Sequence, residues 1–343
     1  MLHDLSCVVH LHSTHSDGTG TVPQIVAAAR RDAVDVVLLT DHDTLAGRAD
    51  EGWHGPVLLL VGEEISPLGH DHTLAFGLDR HVDHRGLSGA EIVAAVAEAG
   101  GLAFAAHPFS RGSERFRRFG EGMPHTGVGA PGLTGVELWS FVTDTAEQLT
   151  GLADVARFVA TPERVVERPP QRNLEEWDRL CARRRLVAIG GIDAHQIGVR
   201  VGGRVPLRLM SYTRSFRYLR THVLCEEPAS GDLERDRAQV YDALREGRCY
   251  LAVDSLRDGR GFRFWAEGAR GRLAMGGEAP AGVWRLHASL PAPADVTLVR
   301  DGHVVERARA DGLAFDATGP GVFRIQAEID GRTWIVSNPI YLR

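Results

Sequence analysis

Lysine is absent from this 343-residue chain: all 39 basic residues are arginine. That excludes Schiff-base chemistry and a lysine general base. Cysteine is scarce. Cys7, Cys181, Cys225 and Cys249 form no C-x-x-C pair, so neither a thiolate zinc site nor a disulfide framework is expected. No apolar run approaches the roughly 20 residues a membrane span needs. Nor does a basic region followed by an apolar stretch open the chain. Positive charge in excess is missing too: the formal net charge of -6 argues against a general nucleic-acid binder, because phosphate backbones select basic surfaces. The remaining composition, 43% hydrophobic and 24% charged, is ordinary for a globular protein. A cytoplasmic location is expected, with no membrane and no nucleic acid as partner; oligomeric state is open.

Against these absences stands one dense stretch, His10-Leu11-His12-Ser13-Thr14-His15-Ser16-Asp17-Gly18. Leu5 to Val9 before it reads as a short buried strand. A strand projects every second side chain to one face, which predicts that His10 and His12 point the same way. Two neutral imidazoles side by side offer a platform for a borderline transition metal. The turn residues Ser16, Asp17 and Gly18 bend the chain back and can return Asp17 to the same place. Taken alone, the stretch reads equally as solvated histidines at a polar strand end.

Downstream, short apolar runs recur: Val34–Leu39, Val57–Val61, His72–Gly77, Leu102–Ala106, Gly135–Trp139 and Val187–Ile189. Helical spacing intervenes at Val22–Asp32 and Ala90–Ala99, and two helices broken at Arg168-Pro169-Pro170 are expected over Asp144–Arg185. Continuous apolar strands alternating with helices indicate a mostly parallel sheet buried on both faces. With Leu5–Val9 the runs number seven, which suggests a barrel-like α/β fold. Polar residues follow the runs: Asp41, His42 and Asp43; Glu63 and Glu64; His107; Asp193 and His195. In barrels of this kind the loops after the strands build the active site.

The chain changes character after residue 197. Leu233–Gly247 reads as an amphipathic helix with a glycine cap, and Arg248–Val253 as a strand. From Gly261, alternating strands with Gly and Pro turns indicate a small antiparallel β-sandwich, with Asp301-Gly302 and Asp330-Gly331 as hairpin turns. The strands expected there are Phe262–Glu267, Val283–Leu290, Val296–Arg300, Val322–Ile329 and Trp334–Tyr341, with Trp265, Trp284 and Trp334 read as core. Two domains follow, 1–255 and 256–343.

His10-x-His12 with Ser16-Asp17-Gly18, Thr40-Asp41-His42, Gly62-x-Glu64-Ile65-Ser66, Ala106-His107-Pro108 and Gly191-Ile192-Asp193-Ala194-His195 stand in the order found in the polymerase-and-histidinol-phosphatase (PHP) superfamily. The chain resembles that superfamily over roughly residues 4 to 200. The usual serine of the last motif is Ile192 here, at a position that is not a ligand in the family. The resemblance implies a distorted seven-stranded (β/α) barrel with two or three divalent metal ions (Zn, Mn or Fe) at its mouth. It further implies that His10, His12, Glu64 and Asp193 hold one ion, with Glu64 bridging to a second completed by His72 and His107. Asp17, His42 and His195 then hold a third. Among open choices, the Gly-x-Glu-Ile spacing favours Glu64 over Glu63, and the following strand favours His72 over His70. His15 is read as lying near the ligands or the substrate, Asp41 and Asp43 as turn residues, and Glu137 as an orienting partner of a ligand histidine or a direct participant. His3, His54, His81, His84, His125, His222, His287 and His303 are read as surface or structural residues.

Over the whole chain, Arg220–Leu224, Ala243–Tyr250 and the terminal Ser337-Asn338-Pro339-Ile340-Tyr341 are similar to the PHP branch with carbaryl-hydrolase-like metallohydrolases. The activity implied first is hydrolysis of a small phosphorylated substrate by a metal-bridged hydroxide, with Glu64 and Asp193 at the reacting centre. Arg111, just past His107-Pro108, is the candidate for gripping the anionic group, because guanidinium matches phosphate geometry. Arg115, Arg117 and Arg118, then Arg200 and Arg204, are weaker candidates. A carbamate, ester or amide hydrolase using the same metals is the alternative, and a non-catalytic metal-binding scaffold the third reading.

Overall fold

The computed structural model describes residues 2–113, 122–165, 167–196, 198–201, 204–208 and 210–343. Arg115, Arg117 and Arg118 lie outside the described residues, as do the side chains of Arg200 and Arg204.

Besides a short strand Gly52–His54, which pairs antiparallel with Val57–Leu59, the described residues of the amino-terminal part form these strands in chain order: β1 His3–Val9, β2 Val36–His42, β3 Val57–Ile65, β4 Thr73–Phe76, β5 Leu102–Ala105, β6 Leu133–Ser140 and β7 Val187–Gly191. β1–β2, β2–β3, β5–β6 and β6–β7 pair in parallel. β4 departs from the expected parallel order. It runs antiparallel to both β3 and β5. Only seven residues, 66–72, join Ile65 to Thr73, too few for the helical crossover that a parallel return requires. The run then comes back to its start: Ile192 N–H donates to the Val9 carbonyl (2.9 Å), and Leu11 bridges Ala194 in parallel.

Why the runs are continuously apolar follows from their alternation. Val8, Val37, Leu39, Leu59 and Val61 pack outward with Ile25 and Ala29 of α1 (Val22–Arg31) and Ile92, Val93 and Val96 of α2 (Gly89–Glu98). Cys7, Val9, Val36, Leu38, Leu58 and Leu60 pack inward with Leu74, Phe76, Phe104 and Ile189. Both faces are buried, as in parallel sheets covered by helices. α2 begins at a Ser88 cap whose hydroxyl accepts from the Glu91 N–H (3.4 Å). Where two helices are expected over 144–185, three form: α3 (Phe141–Ala146) and α4 (Leu152–Ala160) precede the Arg168–Pro170 break and α5 (Gln171–Cys181) follows it.

Beyond these, β8 (Leu219–Cys225) runs antiparallel beside β1, and β9 (Cys249–Val253) beside β8. Between them lies a helix over Leu233–Arg245, ended by Gly247 at φ 65°. The carboxy-terminal strands form a second core around Phe264, Leu286, Ile325 and Trp334. Besides a two-residue strand Glu278–Ala279, they are β10 Arg263–Gly268, β11 Gly271–Ala274, β12 Gly282–Arg300, β13 His303–Gly319, β14 Gly321–Ile329, β15 Arg332–Ser337 and β16 Ile340–Leu342. Where two strands are expected over 283–300, one long β12 runs; its register with β13 slips between Ser289 and Ala294, across Pro291 and Pro293. Both Asp-Gly turns form, with Asp301 and Asp330 at φ 51°. β15 pairs with β9, so the second core is joined to the first by a ladder. Trp284 and Trp334 are core, but Trp265 is not: on β10 its neighbours Phe264 and Ala266 take the buried face and leave the indole half-exposed. Among the described residues no helix is long and apolar enough to cross a membrane.

Candidate metal centre

The carboxyl ends of the parallel strands and the amino end of the antiparallel β4 bring one set of residues together. Glu64, completely enclosed near the end of β3, faces five imidazoles. Its Oε2 lies 3.2 Å from His10 Nε2, 3.4 Å from His12 Nε2 and 3.2 Å from His42 Nδ1. Its Oε1 lies 2.9 Å from His72 Nδ1 and 3.4 Å from His107 Nε2. Strand parity decides this. Glu64 shares the inward face of Leu58 and Leu60, whereas Glu63 follows Leu59 and Val61 outward to meet His81 Nδ1 (2.6 Å) and the Val82 N–H (3.0 Å). His42 lies beside Glu64 in the parallel register, and His72 precedes the inward-facing Leu74.

His10 and His12 do converge, but not by strand alternation. β1 stops at Val9, and continued alternation would send His10 outward with Val8. Instead His10 takes φ 62°, which resets the alternation: Leu11 joins the outward core and both imidazoles face Glu64. His107 (φ 30°) and Asp193 (φ 49°), after β5 and β7, are likewise left-handed. Non-glycine residues in that region cost about 1–3 kcal/mol each and gather at functional sites. Asp193 Oδ1 lies 3.6 Å from His10 Nε2, 3.5 Å from His12 Nε2 and 3.5 Å from His195 Nδ1. Asp17 is reached through the turn: its Oδ1 lies 3.3 Å from His195 Nε2, 3.7 Å from His42 Nε2 and 3.9 Å from His12 Nδ1. A Cβ at Gly18 would sit 2.2 Å from the His12 carbonyl oxygen, which is why the turn needs glycine.

Three sets of nitrogen and oxygen atoms are close enough to share an ion: His12, Asp17, His42 and His195; His10, Glu64 and His107; His10, His12 and Asp193. The donors are imidazole and carboxylate, which suit a divalent metal ion. His10 Nε2, both His12 nitrogens and His107 Nδ1 are buried without a hydrogen-bond partner among the described residues. Buried polar atoms are ordinarily paired, so the residues fit a cation. The charge balance agrees. Burial opposes ionisation of Glu64 and Asp193, yet the surrounding histidines, His10 foremost, hold both carboxylates well below their usual range. Burial, reinforced by the charge of His195, pushes His12 down to about 4, leaving it neutral and able to ligate. His10 moves the other way: burial is outweighed by Glu137, Glu64 and Asp193, and its pKa stands well above the ordinary value.

Supporting contacts fix this geometry. Glu137, fully buried on β6, places Oε1 2.9 Å from His10 Nδ1 and accepts the His107 N–H at Oε2 (2.8 Å), so it orients two histidines at once. Asp41 accepts from the Ser13 N–H (2.7 Å) and the Ser16 hydroxyl (2.6 Å), tying down the turn that carries Asp17. Asp43 accepts the Ser66 N–H (2.9 Å), and Ser66 Oγ lies 2.6 Å from His42 Nδ1. Thr143 on α3 donates its hydroxyl to Asp193 Oδ2; sequence reasoning missed it, and the only signal was a polar residue soon after an apolar strand. His70 stays outside, on Asp71 (2.8 Å), and His15 is exposed. Arg111 is exposed; its N–H donates to Glu147 (2.6 Å), and its guanidinium makes no ion pair among the described residues.

No family model matches the chain, and no curated protein matches it. Among solved structures it is similar to a two-domain protein containing a predicted PHP-like metal-dependent phosphoesterase from Bacteroides vulgatus, at 14% identity and TM-score 0.46, covering 98% of this chain and 95% of that one. It is also similar to a candidate metal-dependent phosphoesterase from Bifidobacterium adolescentis, at 19% identity and TM-score 0.38, covering 67% of this chain and 94% of that one. A third, an amidohydrolase from Chromobacterium violaceum with bound sulfate, shares 19% identity at TM-score 0.32 over 55% of this chain and 87% of that one.

Proposed function

We propose that the chain is a metal-dependent hydrolase of the PHP type that cleaves a phosphate ester of a small molecule. The observation that carries this reading is Glu64: a buried carboxylate whose two oxygens each face their own histidines, His10, His12 and His42 on one side and His72 and His107 on the other. That is the arrangement a bridging ligand between two cations needs. The same reading takes the seven strands as a distorted closed barrel within residues 1–255, with 256–343 as an antiparallel sandwich beside it.

His10, His12, Glu64 and Asp193 would hold one ion, Glu64, His72 and His107 a second, and Asp17, His42 and His195 a third. Bound divalent ions supply Lewis acidity to the ester and activate water near neutral pH. The chain's own residues supply the rest. Glu137 fixes the ring of His10, Thr143 fixes the carboxylate of Asp193, and Asp17, 58% exposed, marks the side open to solvent. Arg111 stands four residues past His107 with its guanidinium unpaired among the described residues, suited to the anionic group of the substrate.

The test is a panel of p-nitrophenyl phosphate, bis-p-nitrophenyl phosphate, a nucleoside monophosphate and an aryl carbamate. Turnover of a phosphate ester, with kcat/KM lowered about tenfold or more in Arg111→Ala, is expected, since losing a charge-assisted bidentate contact costs about that much. Carbamate turnover alone, indifferent to Arg111→Ala, would replace this reading with the carbamate hydrolase. Metal binding without turnover of any ester would leave the scaffold.

A further inference from the structure

A second cleft lies at the opposite end of β1 from the histidines. Its volume is about 570 Å³; the half-exposed Leu2, Trp265 and Ala274 give it an apolar wall over a buried floor that includes Leu224 and Met275, and Arg248, Arg263 and Arg272 stand around it. At about 3.3 Å per residue, the seven residues of β1 set it roughly 20 Å from His10, so it is separate from the metal centre. Leu224 and Met275 are buried, and the floor belongs to the carboxy-terminal core rather than to the sheet interior beneath the histidines.

The three guanidiniums differ in what they have left to offer. Arg263 is occupied: Nη1 donates to Asp4 Oδ2 (3.0 Å) and Nη2 to the Leu2 carbonyl (2.8 Å). Arg248 is not. Its Nε is buried with no hydrogen-bond partner among the described residues, and the carboxylate nearest to it, Glu226, is 71% exposed and 3.9 Å from Nη1. Among the described residues, Arg272 is held by its face alone. Its guanidinium carbon lies 4.4 Å over the Trp265 ring, which stacks on His287 at 5.1 Å and 12°. The indole N–H is fixed on Glu267 (2.9 Å), so the column of His287, Trp265 and Arg272 is braced from below. Stacking of this kind orients a guanidinium while leaving its N–H edge free for an acceptor. Among the described residues lining the cleft, Glu226 is the one carboxylate, so an acceptor must come from elsewhere.

We propose that this cleft binds a small organic anion: a carboxylate or phosphate monoester carrying an apolar body. The Nη groups of Arg248, whose side chain is 17% exposed, and the free edge of Arg272 take the head group. The body lies against the half-exposed Leu2, Trp265 and Ala274. A head group alone gains only the charge-assisted contacts, whereas a ring attached to it also buries apolar surface at about 25 cal/mol per Å².

Calorimetric titration of the metal-loaded chain with benzoate, phenylphosphonate and inorganic phosphate tests this. Two variants separate the sites: Arg248→Met with Arg272→Met for the cleft, and Asp193→Asn for the metal centre. One binding event with phenylphosphonate or benzoate should persist in Asp193→Asn and weaken at least about tenfold in the arginine pair, and inorganic phosphate should bind that site more weakly than phenylphosphonate. Should the pair not fold, Arg272→Met alone, on an exposed side chain, must still weaken binding by about threefold or more. Binding that is unchanged in the arginine variants, or that disappears in Asp193→Asn, overturns the proposal; so does the absence of any event at millimolar ligand. Benzoate against phenylphosphonate then tells which head group the cleft prefers.

Discussion

Single residues turn on parity and on three backbone exceptions to it. The sequence favours Glu64 over Glu63 through the Gly-x-Glu-Ile spacing alone, because the run from Val57 is apolar at every position and does not mark which parity faces inward; the fold supplies that. The left-handed residues are not legible in the sequence. His10, His107 and Asp193 carry side chains that ordinarily avoid φ > 0, and no glycine marks them, so reading His10-x-His12 as strand alternation reaches the right convergence by the wrong geometry. Thr143 was also hidden, since only the folded chain brings α3 to Asp193. Its hydroxyl occupies Oδ2 and leaves Oδ1 for the histidines. Partners of metal ligands typically control affinity about 10–100-fold. Thr143→Val should therefore weaken metal binding about tenfold in a chelator competition, and Thr143→Ser should restore it; equal affinity in Val and Ser variants would assign Thr143 to packing alone.

At the scale of elements, the apolar runs announced the strands but not their directions. β4 has four residues, Thr73–Phe76, and such a run reads the same either way along the sheet. The short connection from β3 was the readable hint. β7 shows how tightly neighbouring elements are joined. A Cβ at Gly191 would meet Glu137 Oε1 at 2.0 Å and His10 Cβ at 2.9 Å, so the last residue of β7 must be glycine for β6 to present Glu137 to His10. Gly191→Ala should cost about 1–3 kcal/mol by overpacking. It should also lower metal content, because Glu137 has to leave His10. A stable Gly191→Ala protein with full metal content would show that the contact between Glu137 and His10 is dispensable.

For the whole molecule, the two cores are clasped by charges that sequence reading set aside as structural. His222 on β8 is fully buried between Asp4 of β1 (2.9 Å) and Asp254 just past β9 (3.2 Å). Asp4 also accepts from the Tyr250 hydroxyl (2.8 Å) and from Arg263 of β10 (3.0 Å). Burial works against the imidazolium, but the hydrogen bonds and charges of Asp254 and Asp4 raise His222 from 6.5 to about 9. Between those values the folded chain binds more protons than the unfolded one. The stability His222 contributes is therefore fully present below pH 6.5 and is lost as pH rises through about 9. Urea midpoints of the native chain should fall across that window, and His222→Gln should flatten the dependence; a native midpoint independent of pH there would contradict the clasp. Long-range contacts of this sort, 218 residues apart between Asp4 and His222, are beyond any local sequence pattern.

On the proposed function, Glu64 would hold the metal ions that perform hydrolysis. Elemental analysis of the native protein and of Glu64→Gln, each then assayed with p-nitrophenyl phosphate, tests it most directly. Two or more divalent ions per native chain, with metal content and phosphate release both lost in Glu64→Gln while the fold persists by circular dichroism, is the predicted result. A native protein that takes up no Zn, Mn or Fe, or a Glu64→Gln variant that keeps both its ions and its turnover, would contradict it.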